Sequence, residues 1–232
     1  MFDIERQKEI LRLLMKSKSM TVNRLSELLF VSRPTIRRDL DVLESQGAVM
    51  RTHGGVILRN AADLEIPLML RERQNNLSKE RIAAKAEGYV QNGQVIFLDA
   101  SSTVSYLVPR LEKFSDIIVV TNSPKTSMAL GELGIKNYCT GGLMLIHSVA
   151  YVGSDTERFV SGINADVFFF SSRGYEEGGM ITDSSVEEAG VRRAMMKNSA
   201  KSYYLCDSSK KNKKYMYNIC SVGEVDGVID EE

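Results

Sequence analysis

Apolar residues recur at helical spacing in two stretches near the start of the chain, which predicts two amphipathic helices. The first stripe comprises Ile10, Leu11, Leu13 and Leu14. The second stripe comprises Val22, Leu25, Leu28 and Leu29. Thr21 stands directly before the second stripe, and its side-chain oxygen is suited to the N-cap of that helix.

A third helix is predicted in SRPTIRRDLDVLESQG, residues 32–47. Ser32 is suited to its N-cap, and Pro34 falls in the first turn, where a missing N–H does no damage. Three apolar residues with i, i+4, i+7 spacing predict the buried face. They are Ile36, Leu40 and Leu43. Gly47 is expected to end the helix.

Two short strands are predicted on either side of RTHGG, residues 51–55. Two short helices, a tight turn and a following hairpin form the order of a winged helix-turn-helix. Arg51 and His53 lie near the tip of the predicted wing, where glycines permit positive φ or close approach to a DNA backbone. A DNA-binding module is therefore expected over residues 1–58.

The polar face of the third helix provides the chemistry of DNA contact. Arginine donates to guanine or phosphate, and threonine contacts a base or a methyl group. The candidate DNA-binding residues are Thr21, Ser32, Arg33, Thr35, Arg37, Arg38, Arg51, His53 and Gly54. The competing interpretation is an ordinary solvated helix face, because Asp39 and Asp41 would repel phosphate unless they pair with arginines or cap backbone groups.

After a predicted linker over 59–77, which shows no clean period, apolar strand-like runs alternate with helical stretches over 78–232. The runs are QVIFLD (94–99), DIIVVT (116–121), KNYCT (136–140), DVFFFSS (166–172) and SYYLCD (202–207). Short, fully apolar strands separated by helices predict a mostly parallel sheet covered on both faces. Ser78 is expected to cap the helix KERIAAKAEGYV.

Hydroxyl-bearing or glycine-containing segments follow each predicted strand, namely DASST, TNS, TGG, SSRG and DSSK. Ligands of such sheets bind beyond the carboxyl ends of the strands, where hydroxyls and free N–H groups favour anions. Lys210 adds a positive charge. A small anionic, hydroxyl-rich ligand such as a sugar phosphate is expected, against the alternative that such residues are simply common in turns.

Charge and composition support this division. Residues 1–57 carry ten Lys/Arg and seven Asp/Glu, a net charge of +3, and the remainder carries twenty and twenty-three, a net charge of −3. A basic module suggests a nucleic-acid partner. Three widely spaced cysteines and two histidines argue against a disulfide framework or a zinc centre. No cofactor is expected, and the absence of a long apolar run argues against a membrane span. The cysteine usage favours a reducing compartment, and a cytoplasmic protein is expected.

Two stretches of the N-terminal module are RQKEILRLL and VSRPTIRRDLDVLESQGAVMRTHGGV. Together they resemble the N-terminal domain of the DeoR family of bacterial transcriptional regulators. The rest of the chain resembles the effector domain of the family, whose fold is like that of ribose-5-phosphate isomerases. The matching stretches include RERQNNLSKERIAAKA, VIFLDASSTV, VVTNS, TGG, GGMIT, VRRAMMKNSAKSYYLCDSSK and VDGVID.

The resemblance implies a set of residues that line an effector pocket. They are Asp99, Ser101, Ser102, Thr103, Asn122, Ser123, Gly141, Gly142 and Lys210. Two positions depart from the family pattern. Ser101 stands where the family usually has glycine, and Arg173 stands in SSRG, where the family tends to have small residues followed by Asn-Gly. Arg173 either forms a second phosphate clamp or fills the pocket.

The sequence is compatible with three functions. The favoured one is a non-enzymatic repressor of sugar-metabolism genes that binds double-stranded operator DNA as a homodimer or homotetramer and is released by a phosphorylated sugar. The second is a sugar-phosphate isomerase with Asp99, Asp183 and Glu187 as candidate acids and bases. The third is a DNA-bound assembly module that senses no effector. Glu187 and Glu188 are otherwise explained as first-turn helix acids, with Ser184 and Glu187 forming a capping box.

Overall fold

The computed structural model describes residues 3–45, 48–58, 68–72 and 74–232. For six of these residues only the backbone is described, namely Ile4, Met15, Lys16, Leu58, Met69 and Leu70. Gly47 and residues 59–67 of the predicted linker lie outside the described ranges. The chain divides into two compact units, Met1–Leu70 and Arg71–Glu232. The predicted domain limits, 1–58 and 78–232 with a linker between them, stay a prediction.

The described residues of the first unit form a winged helix-turn-helix. In chain order its elements are α1 (Asp3–Ser17), β1 (Ser19–Thr21), α2 (Val22–Leu29), α3 (Arg33–Ser45), β2 (Val49–Thr52) and β3 (Gly55–Leu58). The predicted helices and the two strands of the wing are confirmed. Strand β1 is an addition that the sequence did not indicate, and β3 pairs antiparallel with both β1 and β2.

Local signals explain where these helices begin. The Thr21 hydroxyl accepts a hydrogen bond from the Arg24 N–H at 3.1 Å, which is the predicted N-cap of α2. The Ser32 hydroxyl accepts one from the Thr35 N–H at 3.3 Å at the start of α3. Apolar faces of the three helices form one core, which includes the fully buried Ile10, Leu14, Leu25, Ile36 and Leu40. Burying these side chains is the main stabilisation of so small a unit.

The second unit is built on a six-stranded parallel sheet. Helix α4 (Leu68–Glu72) includes residues on both sides of the division between the units. The strands and helices that follow it are α5 (Asn76–Ala86), β4 (Val95–Leu98), β5 (Ile118–Thr121), α6 (Pro124–Glu132), β6 (Asn137–Cys139), β7 (Leu143–Leu145), β8 (Ala150–Val152), α7 (Ser154–Ser161), β9 (Ala165–Phe170), β10 (Gly174–Tyr175), β11 (Met180–Asp183), α8 (Val186–Lys197), β12 (Ser199–Leu205), β13 (Tyr217–Ser221) and β14 (Gly227–Ile229). Strand order is β14-β12-β9-β4-β5-β6, and each neighbouring pair is parallel. The predicted fold class is confirmed.

Both faces of this sheet are buried, as the fully apolar strands predict. Along β9, Phe169 packs in a core with α5 on one face, and Phe168 and Phe170 pack in a second core with α8 on the other. Because all six strands run in the same direction, their carboxyl ends meet at one edge of the sheet. The five polar segments that follow predicted strands therefore lie along this edge.

Some boundaries and caps differ from the predictions. Helix α5 begins after Asn75, not Ser78, and α4 lies inside the predicted linker. Ser185 caps α8 in place of Ser184, since its hydroxyl accepts from the Glu188 N–H at 3.1 Å. The edge strand β14, the β7–β8 hairpin and the small β10-β11-β13 sheet were not predicted. Within the described ranges, no helix has the length and hydropathy needed to cross a membrane.

Candidate functional site

The outer face of α3 carries three exposed arginines, Arg33, Arg37 and Arg38. Their guanidinium groups have no hydrogen bond or ion pair with any other residue that the structure describes. Thr35 is half-buried, and its hydroxyl lies 2.8 Å from that of Ser32. The predicted DNA-contacting side chains of α3 are thus gathered near its N-terminal half, with their donors available.

Both aspartates of α3 form ion pairs with arginines of the same unit. Asp39 is only 2% exposed and accepts hydrogen bonds from the Arg6 guanidinium, with Arg6 Nη2 at 3.1 Å from Asp39 Oδ1. The hydrogen bond to Asp39 raises the pKa of Arg6. This buried pair joins α1 to α3, and Asp39 does not face solvent. The objection that it would repel phosphate therefore does not hold.

Arg51 pairs with the second acid of α3. Its guanidinium donates to Asp41 and, at 3.3 Å, to the Arg37 carbonyl. The Arg51 N–H also donates to Glu44 at 2.8 Å. Arg51 is half-buried and ties the wing to α3, whereas the prediction placed it near the wing tip as a DNA contact.

The tip of the wing is formed by His53 and Gly54, both exposed. Gly54 has a φ of +85°, and a Cβ there would meet open space. Gly55 is required for a different reason, namely lack of space, because a Cβ there would lie 2.7 Å from the Met20 carbonyl oxygen of β1. The close approach at Gly55 is thus to the protein's own backbone, and Gly54 is the glycine that allows the turn.

In the second unit, Asp99 starts the loop that follows β4 and is 2% exposed. Its Oδ1 accepts from the Ser101 N–H at 3.0 Å and its Oδ2 from the Ser171 N–H at 3.2 Å. The Ser101 hydroxyl accepts from the Val104 N–H at 3.3 Å, and Ser101 does not have a positive φ. The loop therefore accommodates serine at this position.

Arg192 of α8 completes the environment of Asp99. Its Nε donates to Asp99 Oδ2 at 2.7 Å, its Nη1 to Asp183 Oδ2 at 2.8 Å and its Nη2 to Glu188 Oε2 at 2.9 Å. Burial lowers the pKa of Arg192, but the charges of Asp183, Asp99 and Glu188 outweigh it and raise the pKa. Sequence reasoning missed Arg192, because its three partners come from separate elements.

Two lysines approach the 101–103 loop. Lys79 of α5, 3% exposed, donates to the Ser102 hydroxyl at 3.0 Å and to the Arg71 carbonyl. Lys210 donates to the Thr103 hydroxyl at 3.0 Å and to the Ser171 hydroxyl at 2.6 Å. Burial, followed by the charge of Lys210, lowers the pKa of Lys79 to about 8. Lys79 was not among the predicted site residues.

The lysines are poorly compensated by carboxylates. Asp207 lies 3.7 Å from Lys210 Nζ, and among the described residues no carboxylate comes within ion-pair distance of Lys79 Nζ. Burial lowers the pKa of Lys210 too, against the charge of Asp207. An anion bound at this point would relieve the repulsion between the two ammonium groups.

The remaining predicted residues line the neighbouring loops. Asn122 Nδ2 donates to the Tyr151 carbonyl at 2.9 Å, and the Ser123 hydroxyl caps α6 by accepting from the Thr126 N–H at 3.1 Å. Gly141 and Gly142 both have positive φ. A Cβ at Gly142 would lie 2.2 Å from Thr156 Oγ1, so glycine is required there by packing. Arg173 follows β9 and is half-buried.

Comparison with known proteins gives relatives along nearly the whole chain. The chain is 35% identical over 230 residues to the L-fucose operon activator of Escherichia coli, and the match covers 98% of this chain and 94% of that protein. It is 31% identical over 231 residues to the lactose phosphotransferase system repressor of Staphylococcus epidermidis, which covers 98% and 91%. It is 36% identical to the transcriptional regulator GolR of Listeria innocua, covering 90% and 83%.

Solved structures match at the level of fold. The chain is similar to eIF2B delta from Chaetomium thermophilum with a TM-score of 0.51 and 19% identity, over 70% of this chain and 58% of that chain. A D-ribose-5-phosphate isomerase in complex with phospho-erythronic acid matches with a TM-score of 0.44 and 16% identity, over 57% and 52%. The chain spans somewhat more than half the length of each.

Family models cover both units. The DeoR-like helix-turn-helix domain matches residues 6–61, and the DeoR C-terminal sensor domain matches residues 74–232. With the relatives above, which are regulators of transcription, these matches show that the chain belongs to the DeoR family of helix-turn-helix transcriptional regulators.

Proposed function

We propose that the protein is a sequence-specific repressor of sugar-metabolism genes that binds double-stranded operator DNA and is released by a phosphorylated sugar. It acts in the cytoplasm as a homodimer or homotetramer, because two-fold operators favour symmetric assemblies. The pairing of Asp39 and Asp41 with arginines is the observation that carries the DNA-binding half of the proposal, since it leaves Arg33, Arg37 and Arg38 as exposed positive charges of α3 with no carboxylate partner among the described residues.

The effector half rests on Lys79 and Lys210. Two largely buried ammonium groups hold adjacent hydroxyls of one loop at a sheet edge where parallel α/β proteins bind ligands. A phosphate would bring negative charge to Lys79, which has no carboxylate within ion-pair distance among the described residues, and would add to the charge that Asp207 brings to Lys210. Asp99 shapes the loop, because its carboxylate accepts hydrogen bonds from Arg192 and from backbone N–H groups. Its contact with the effector, which the resemblance implies, stays a prediction.

The names of the relatives support a sugar-related role and leave the direction of regulation to experiment. One relative is an activator of an L-fucose operon and another is a repressor of a lactose phosphotransferase system. Both names concern sugars. Release by the effector requires that the effector bind the free protein more tightly than the DNA-bound protein.

The proposal is tested by DNA binding of the full chain to fragments upstream of its own gene, with and without a panel of sugar monophosphates. We expect specific binding that one compound abolishes. Binding that no compound changes would overturn the effector half and leave a regulator that senses no small molecule. Tighter binding with a sugar phosphate would indicate an activator or co-repressor mechanism.

Arg38→Ala tests the DNA-binding half directly. Loss of a base or phosphate contact should weaken operator binding about ten-fold or more, and loss of a phosphate contact should lower the salt slope by about one unit. The control is Arg12→Ala, another exposed arginine, which pairs with Glu9 on α1. If Arg38→Ala and Arg37→Ala both bind operator as the unaltered protein does, the arginine face of α3 is only solvated.

A catalytic function is less well supported. The isomerase alternative needs free acids and bases, but Asp99 and Asp183 are buried and hydrogen-bonded to Arg192. Glu187 accepts from the Ser185 hydroxyl at 3.0 Å in the first turn of α8, which agrees with a helix-capping role. Turnover of pentose or hexose phosphates by the purified protein would restore the alternative.

A further inference from the structure

Besides Asn122 Oδ1 in the pocket itself, three buried polar atoms beside the proposed effector pocket have no hydrogen-bond partner among the described residues. They are Glu188 Oε1, Ser148 Oγ and Arg173 Nη2. Glu188 is 6% exposed and Ser148 is fully buried. Buried polar atoms are nearly always paired, because an unsatisfied group loses its bonds to water without replacement. Their lack of partners indicates a ligand that supplies them.

The three residues lie close to one another although they come from different elements. Glu188 is in the first turn of α8, Ser148 lies between β7 and β8, and Arg173 follows β9. Burial favours the neutral form of Glu188. The charges of Arg192 and Arg71, the Ser148 hydroxyl and the charge of Arg173 nevertheless hold the pKa of Glu188 at about 2. Glu188 is therefore an ionised acceptor with Oε2 bonded to Arg192 and Oε1 open.

The same group borders the cationic end of the pocket. The charge of Arg71 acts on Glu188 and also on Lys79 and Lys210, so Arg71 lies near both groups. Arg192 links Glu188 to Asp99, at the start of the loop that carries the lysine-bonded hydroxyls. A ligand whose phosphate reaches Lys79 and Lys210 thus has Glu188, Ser148 and Arg173 within the same polar region.

The three atoms without partners differ in whether they need a hydrogen-bond donor or an acceptor, and this restricts the chemical groups that a ligand can place beside them. Glu188 Oε1 needs a hydrogen-bond donor, Arg173 Nη2 needs an acceptor, and Ser148 Oγ serves as either. A carboxylate or second phosphate satisfies Arg173 but has no hydrogen for Glu188, and its charge is repelled by the ionised carboxylate. Adjacent sugar hydroxyls satisfy both, because each hydroxyl donates one bond and accepts others.

We propose that Glu188, Ser148 and Arg173 bind a pair of adjacent hydroxyls at the end of the effector remote from its phosphate. The effector is then a sugar monophosphate with a neutral polyol end, not a bisphosphate or a phosphorylated sugar acid. This inference rests on the proposed sugar-phosphate effector and adds the residues that discriminate among such compounds. It also assigns Arg173 to hydroxyl recognition in place of a second phosphate clamp.

Ser148→Ala is the sharpest variant, because it removes a buried hydroxyl that lies beside the Glu188 carboxylate and makes no hydrogen bond of normal geometry with a described residue. Its free energy of unfolding should stay close to that of the unaltered protein. Its affinity for a sugar monophosphate should fall about ten-fold or more. Ser161→Ala provides the control, since Ser161 is exposed and bonds only the Glu157 carbonyl of its own helix.

Calorimetric titration of the full chain would use pentose and hexose monophosphates, their monodeoxy counterparts, fructose 1,6-bisphosphate and 6-phosphogluconate. For the bound monophosphate, removal of one hydroxyl should weaken binding to the unaltered protein about ten-fold. The same removal should cost much less in Ser148→Ala or Arg173→Met. This coupling between a ligand hydroxyl and a side chain would not arise from a purely structural role.

The outcomes test the hydroxyl-binding inference and the proposed phosphorylated effector separately. A sugar monophosphate that binds with the expected coupling supports the inference. Tighter binding of the bisphosphate or of 6-phosphogluconate overturns the inference and leaves the phosphorylated effector intact, as does a monophosphate whose deoxy penalties are the same in all variants. If no phosphorylated sugar binds, and Lys79→Ala changes nothing, the effector half of the proposed function fails and the inference fails with it.

Discussion

At Arg192, three carboxylates from three parts of the chain converge on one buried guanidinium. The resulting cluster fixes Asp99, and Asp99 in turn fixes the N–H groups of Ser101 and Ser171. A single side chain of α8 therefore holds two of the loops that form the proposed pocket. Removing a member of such a network leaves uncompensated buried charge.

Arg192→Met should lower the free energy of unfolding by about 3–5 kcal/mol, measured by urea denaturation at pH 7. The matched control is Arg193→Met, because Arg193 bonds only the Asn218 carbonyl from an exposed position and should cost far less. Equal effects of the two substitutions would contradict the assignment of Arg192 as the charge that balances this cluster.

The variant should also respond to pH in the opposite direction to the unaltered protein. With Arg192 present, the pKa of Glu188 is held at about 2, so its contribution to stability is lost as pH falls through the range between its unfolded value and about 2. Without Arg192, burial raises the pKa of Glu188. The variant should then gain stability as pH falls from 7 toward 5, where the unaltered protein is not stabilised.

The sequence indicated much of the pocket's chemistry but not its internal pairing. Hydroxyls after parallel strands were predictable, because strand direction alone places Ser102, Thr103 and Ser123 at one edge. Lys79 and Arg192 were not, because each lies on a helix and meets partners on other elements through packing, Ser102 for Lys79 and Asp99 for Arg192. Helical spacing within α8 indicates only the contact of Arg192 with Glu188.

At the scale of elements, the wing depends on a close backbone contact. Gly55 begins β3, which lies between β1 and β2, and a Cβ on Gly55 would lie 2.7 Å from the Met20 carbonyl oxygen. That atom belongs to backbone and cannot move aside like a flexible side chain. The first position of β3 therefore accepts glycine and not a larger residue.

Gly55→Ala should separate β1 from β3 and destabilise the wing by about 1–3 kcal/mol. Amide hydrogen exchange at Ser19–Thr21 should become faster, and operator affinity should fall. Gly54→Asn is the control for the hydrogen-exchange measurement alone: a Cβ there meets open space, and asparagine tolerates the positive φ of +85°. Unchanged exchange in Gly55→Ala would show that β1 shifts without cost.

Elements were predictable where periodicity extended over several residues. The apolar runs of β4, β5, β9 and β12 identified the parallel sheet, and helical spacing identified α2 and α3. Strands β1 and β14 have only three residues each, too few for a period to be recognised. They form through pairing with β3 and β12, which is a tertiary effect.

At the scale of the whole molecule, the proposed DNA contacts and the proposed effector contacts belong to different compact units, Met1–Leu70 and Arg71–Glu232. Regulation then requires a coupling free energy between the two binding events, and such coupling is reciprocal. If an effector weakens operator binding by a given factor, operator DNA must weaken effector binding by the same factor. This relation holds whatever structural change transmits the coupling.

The full chain should therefore bind a releasing sugar monophosphate more weakly when saturated with operator DNA, by the factor that the sugar monophosphate imposes on operator binding. Typical coupling of about 1–3 kcal/mol corresponds to about 5- to 150-fold. Arg38→Ala, at concentrations where it no longer binds operator, should bind the compound equally well with or without DNA. Unequal factors in the unaltered protein would show that a binding event other than those of the sugar monophosphate and operator DNA is involved.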